Sequence, residues 1–230
     1  MRSGRSLPTS LFLLVSLGLL LGGCSPYVTA TALPTPQMVR VVYTPAMSGW
    51  QPILAACAAQ QPELALVLLE VPWPVAPQQD YDLLLQAAAP GQEFSGYAAD
   101  LGSLEIVFAG ANQNWTQASL SHAYRNRTPP PAVMLSYAPG SEYFPPFAAH
   151  LLSGEQLSPY VQWVASPADM QQALLATPAA TGYLPRPLLA PGLSELVDVP
   201  GFEVPQVALA KAQPQGVLRS FLACLQAGQP

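Results

Sequence analysis

Residues 39–71, VRVVYTPAMSGWQPILAACAAQQPELALVLLEV, decide the fold class. Val39-Arg40-Val41-Val42-Tyr43-Thr44 is β-branched and apolar, and reads as a strand. A loop over 45–49 leads into a helix from about residue 50 to residue 60, which Pro62 terminates. Its apolar stripe of Ile53, Leu54, Cys57 and Ala58 has helical spacing. Residues 65–71 are a continuous apolar run, the pattern of a buried parallel strand, and Pro72-Trp73-Pro74 breaks it. Strand, helix, then apolar strand implies an α/β sheet.

The pattern continues towards the C-terminus. Residues 82–86 and 104–109 read as strands, and Thr116 can cap a helix that carries Leu120, Ala123 and Tyr124 at i, i+3 and i+4. Residues 132–137 form the next expected strand, which Pro139-Gly140-Ser141 turns into a helix running to about residue 152. Ser166-Pro167-Ala168-Asp169 supplies a cap, a proline at the first helical position and an acid two residues on, and Met170, Ala173 and Leu174 continue a buried face. Pro178 ends that helix. A strand over 204–210 and a helix over 217–226, stopped by Gly228, complete the reading.

The N-terminal side has a different character. Arg2 and Arg5 precede an apolar run over 11–21, and Leu21-Gly22-Gly23-Cys24 follows. A charged start, a short apolar stretch and small residues before a cut describe an export signal, and the run is too short for an ordinary membrane-spanning helix. Residues 25–37, rich in Thr, Ala and Pro and uncharged, are expected to be a solvated tether. Cleavage before Cys24 takes 23 of the 230 residues and leaves 207, enough for one sizeable domain or two small lobes.

Half of the residues are hydrophobic and only 9% are charged, so Gln, Ser, Thr and Pro must supply much of the polar surface. Without Arg2 and Arg5 the balance is six basic against 13 acidic residues, about −7. No Lys/Arg cluster exists to neutralise phosphates, which argues against nucleic acid. Cys57 and Cys224 both lie on helical apolar stripes. A disulfide between first and last helices and two buried free thiols are both open readings. Catalysis finds little support: His122 and His150 sit in expected helices, Asp80 and Asp82 flank a strand start, and no metal-ligand spacing or nucleophile elbow is present. Trp73, Trp115 and Trp163 are expected in packing roles.

Two resemblances follow. Leu-Gly-Gly-Cys at the end of the signal resembles the lipobox of bacterial lipoproteins. That implies diacylglycerol on the Cys24 thiol and anchorage on the extracytoplasmic side. The second half resembles the phosphate-type (PstS-like) substrate-binding proteins of ABC transporters, with the two-lobed type II periplasmic-binding-protein fold. Three segments over residues 104–185 carry it: Leu104-Glu105-Ile106-Val107-Phe108-Ala109 with Trp115-Thr116-Gln117-Ala118-Ser119-Leu120; Gly140-Ser141-Glu142-Tyr143 with Phe147 and Leu151-Leu152-Ser153-Gly154; and 170–178 with Thr181-Gly182-Tyr183-Leu184. The resemblance implies an α/β lobe built from 38–103 with 186–230 and a second from 104–185. Each would have a mixed sheet flanked by helices, and the strands near 104–109 and 181–185 would act as hinges. It implies a monomeric, cofactor-free receptor. A small molecule or oxyanion would be held at Ser48, Gly49, Trp50, Gly140, Ser141 and Tyr143, on unpaired N–H groups at helix N-termini, and handed to a permease.

The chain departs from the family loop at Tyr137, where an Arg commonly stands, at Glu142, where a Gly does, and at Tyr143 in place of Thr. An anion would lose a bidentate cation and meet a carboxylate. Glu142 itself has the pattern of a surface residue satisfying a helix dipole. A neutral or organic ligand held by Tyr143, Trp50 and backbone groups fits this loop at least as well. The alternative function is a degenerate binding-protein fold used as an interaction or envelope-structural module.

Overall fold

The computed structural model describes residues 35–110, 114–128, 130 and 132–228. Cys24, the signal and most of the tether lie outside them, and Gln37 is the first residue of β1. The strands are β1 (Gln37–Tyr43), β2 (Leu64–Glu70), β3 (Leu83–Gln86), β4 (Tyr97–Gly110), β5 (Val133–Tyr137), β6 (Gln162–Val164), β7 (Ala180–Pro185), β8 (Ser194–Val197) and β9 (Glu203–Ala210). The helices are α1 (Gln51–Ala59), α2 (Gln117–Arg125), α3 (Phe144–Phe147, continued as a π-turn over Ala148–Leu152), α4 (Pro167–Ala176) and α5 (Gly216–Ala227). Residues 45–49, expected as loop, form with Trp50 a 3-10 turn that leads into α1.

Among the described residues the strands join in the order β2-β1-β3-β9-β4-β7-β5-β6, with β8 also on β4. β1 is parallel to β2 and β3, β5 is parallel to β6 and β7, and β9 and β4 run antiparallel between the two groups. β4 spans both groups: residues 97–105 pair with β9 and residues 106–110 with β7. β7 lies wholly among the second group, and the chain returns to β9 through 186–202. β8, within the segment ascribed to the first lobe, pairs instead with β4 at Phe108–Gly110. Arg186 holds this return by bridging Glu105 and Glu195.

Side chains alternate across the first group as strand geometry requires. Val41, Leu83, Leu85 and Ala208 face the main core, and Val42, Leu84, Val207 and Leu209 face a smaller one under residues 71–94. α1 and α5 cover the main face, where Cys57 and Cys224 form a disulfide with Cα atoms 5.8 Å apart. In the second group an aromatic cluster fills the core: Phe147 stacks on Tyr183 at 4.5 Å, and Phe108 on Phe202 at 5.1 Å. α4 packs closely on β7, since a Cβ at Gly182 would lie 2.5 Å from Met170 Sδ.

Two sequence expectations are corrected here. β2 is parallel but not buried: it pairs only with β1 and so forms a sheet edge, and Val67, Leu68 and Leu69 are exposed. An apolar run reports tolerance for burial, and the sheet order decides whether anything covers it. Trp163, expected to pack inside, is 52% exposed on the opposite edge strand β6.

Candidate functional site

Four loops meet around a cleft of about 510 Å³. One wall is Pro45 and Ala46, after β1, with Glu70 and 72–74, at the end of β2. The other is Ala138 and 140–143, after β5, with 164–167, where β6 gives way to α4. All four leave the carboxyl ends of parallel strands, the edge at which open α/β sheets hold ligands. Most of the lining is apolar, Trp73 and four prolines or alanines on the first wall among it.

Gly140, Ser141 and Tyr143 line this cleft; Ser48, Gly49 and Trp50 do not. Ser48 and Gly49 are exposed in the 3-10 turn, and Trp50 is 1% exposed within the core. The indole Nε1 of Trp50 finds no hydrogen-bond partner among the described residues. Trp50 therefore packs rather than presenting a platform to the cleft.

Three amides of the second wall are taken up by short-range hydrogen bonds. Ser141 N–H donates to the Ala138 carbonyl at 2.8 Å, Tyr143 N–H to Ser141 Oγ at 3.3 Å, and Phe144 N–H to the Ser141 carbonyl at 3.1 Å. Pro145 and Pro146 then fill the next two positions of α3 and have no N–H to give.

Glu142 overturns its expected surface role. It is 4% exposed, and its carboxylate reaches from the second wall to buried donors at the ends of β1 and β3. Oε1 accepts from Thr44 Oγ1 at 2.9 Å and from the Ala87 N–H at 2.6 Å. Thr44 follows β1 and Ala87 follows β3, so both donors stand at the carboxyl ends of neighbouring parallel strands. Thr44 opens the 3-10 turn without capping it, because its hydroxyl is committed to Glu142. Burial pushes the Glu142 carboxyl up to about 7, against the two hydrogen bonds that hold it down. Tyr143 spans the same gap: its hydroxyl donates to the Ala46 carbonyl at 3.3 Å, and its ring lies 4.9 Å from that of Tyr137. Burial, then the neighbouring Glu142, raises the Tyr143 hydroxyl far above its ordinary value.

Thr44 and Ala87 were not legible as site residues. Their partner is 98 and 55 residues away in sequence, and only the sheet order brings them together.

No protein-family model matches this sequence, and no curated protein matches it either. Solved structures do. A structure described as a phosphate ABC transporter substrate-binding protein of Clostridium perfringens with bound phosphate superposes at a TM-score of 0.68 with 13% identity, over 82% of this chain and 93% of that one. An ABC-type phosphate transport receptor from Vibrio cholerae gives 0.62 with 11% identity, over 83% and 94%. The regulatory domain of Synechocystis PCC6803 CcmR in complex with 2-PG gives 0.61 with 12% identity, over 84% and 97%. At such identities the likeness establishes the fold: this chain has a type II periplasmic-binding-protein-like fold, a mixed sheet flanked by helices.

Proposed function

We propose that this chain is an extracytoplasmic solute-binding protein, anchored through a lipid on Cys24, that takes a small ligand in the cleft and presents it to an ABC-type permease. The observation that carries this reading is the cleft itself, about 510 Å³ at the carboxyl ends of β1, β2, β5 and β6. A volume of that size suits a small organic molecule. The lining also indicates its class. Glu70 and Glu142 contribute carboxylates, and no Lys, Arg or His lines the cleft among the described residues. An oxyanion would find no cation there. A neutral or cationic organic ligand with an apolar face, set against Trp73, fits both the charge and the surface. The phosphate and 2-PG bound by the similar proteins support small-ligand binding by this fold and leave the ligand of this chain to its own residues.

Ligand-dependent melting tests the reading. Sugars, amino acids, amines and oxyanions are added in turn, and a neutral or cationic organic compound should raise the melting temperature by several degrees, a gain that Trp73→Ala abolishes. Flat curves across the panel would sink it. One observation favours the second reading, a binding fold retained as an envelope interaction module: Glu142 and Tyr143 tie the two walls together through hydrogen bonds between protein groups.

A further inference from the structure

Glu142 is the one carboxylate buried among the described residues, and no cation pairs with it there. Its surroundings do not explain it as a stabilising device. A glutamine would accept from Thr44 and Ala87 through its carbonyl oxygen without bringing a charge out of water. A buried carboxylate costs more than that isostere unless it is paired. The two donors themselves have a different character. A hydroxyl and a backbone N–H, 2.9 and 2.6 Å from one oxygen at the carboxyl edge of two parallel strands, are an arrangement suited to a ligand oxyanion. Here the oxygen comes from the opposite wall of the protein.

We propose that Glu142 is a resident ligand: its carboxylate occupies an oxyanion site formed by Thr44 Oγ1 and the Ala87 N–H, so the native cleft refuses small free oxyanions and removal of this side chain uncovers a site for them. Tyr143, with its hydroxyl on the Ala46 carbonyl, helps to hold the same two walls together. The proposal stands on the Thr44–Glu142–Ala87 geometry alone, and it survives or fails independently of whether a transported ligand is found.

The test uses acetate, which replaces the atoms that Glu142→Ala deletes beyond Cβ. Melting of the wild type, Glu142→Ala and Glu142→Gln is followed against sodium acetate and sodium phosphate, with sodium chloride at matched ionic strength. Glu142→Ala should gain a saturable rise of about 3 °C or more with acetate over chloride, while the wild type and the glutamine variant show none. Adding Thr44→Val to Glu142→Ala should weaken the acetate response about tenfold by removing one donor to a charged group. A Glu142→Ala protein indifferent to both anions, or a wild type that responds as the variant does, overturns the proposal. If Glu142→Ala fails to fold in chloride, its refolding yield is read in about 100 mM acetate. Recovery supports the resident-ligand assignment, and no recovery overturns it.

Discussion

Replacing Glu142 with glutamine should turn a pH-dependent protein into a far less pH-dependent one. In the folded chain, burial raises the Glu142 carboxyl from its ordinary 4.5 to about 7. Between those values the folded state holds a proton that the unfolded chain releases. The protonated side chain therefore contributes stability that is fully present below about 4.5 and is lost as pH rises through about 7. Each pH unit of that interval is worth about 1.4 kcal/mol, so the total is roughly 3 kcal/mol. Glutamine fills the same space, still accepts from Thr44 and Ala87, and does not titrate. Urea unfolding of both proteins from about pH 5 to about pH 8 measures the difference, in which whatever the two proteins share cancels. The glutamine variant should gain roughly 3 kcal/mol on the wild type across that range. A difference that stays flat, or that moves in favour of the wild type as pH rises, would refute the reasoning, because it would mean that the carboxylate is solvated or paired with a cation in solution.

Three further outcomes follow from the fold. Cys57→Ser with Cys224→Ser should cost about 5 kcal/mol in the chain-entropy description, since the bond spans 167 residues; the urea midpoint read with and without reductant checks it, and reductant should leave the double variant unchanged. Gly182→Ala should destabilise by about 1–3 kcal/mol, because its new methyl meets Met170 Sδ, and Met170→Ala should recover part of that loss in a double-mutant cycle. Thr116→Ala should cost about 1 kcal/mol by undoing the reciprocal cap with Ser119, measurable as a lowered melting temperature.

Local chemistry was the legible part of this chain. Thr116 and Ser166 mark their helix starts because a cap requires only residues three positions apart, and both side chains accept from the expected amides. Leu120, Ala123 and Tyr124 are buried as their spacing implies. The first half of β4 was not legible. Gly102, at φ 100°, and Asp100, which accepts from the Gly102 N–H, look like a turn, yet they form a bulge inside a fourteen-residue strand that β9 keeps in register on both sides. β2 showed its type but not its exposure, because nothing in an apolar run says whether it ends a sheet. The site was harder still. Gly140, Ser141 and Tyr143, singled out from a loop pattern, fall on the lining of the cleft. The inward turn of Glu142 depends on donors supplied by two other strands, and it reverses what its place before a helix suggests.

The Cys57–Cys224 bond has a consequence for resistance to proteolysis. Together with the backbone it makes a covalent ring that takes in β2 through β9, and β1, on the N-terminal side, lies just outside it. A protease that cuts one loop within the ring opens the backbone but releases no fragment. The nicked chain keeps its mass in non-reducing electrophoresis and parts into two pieces only when reductant is added. Wear on the exposed loops is thereby uncoupled from loss of the domain.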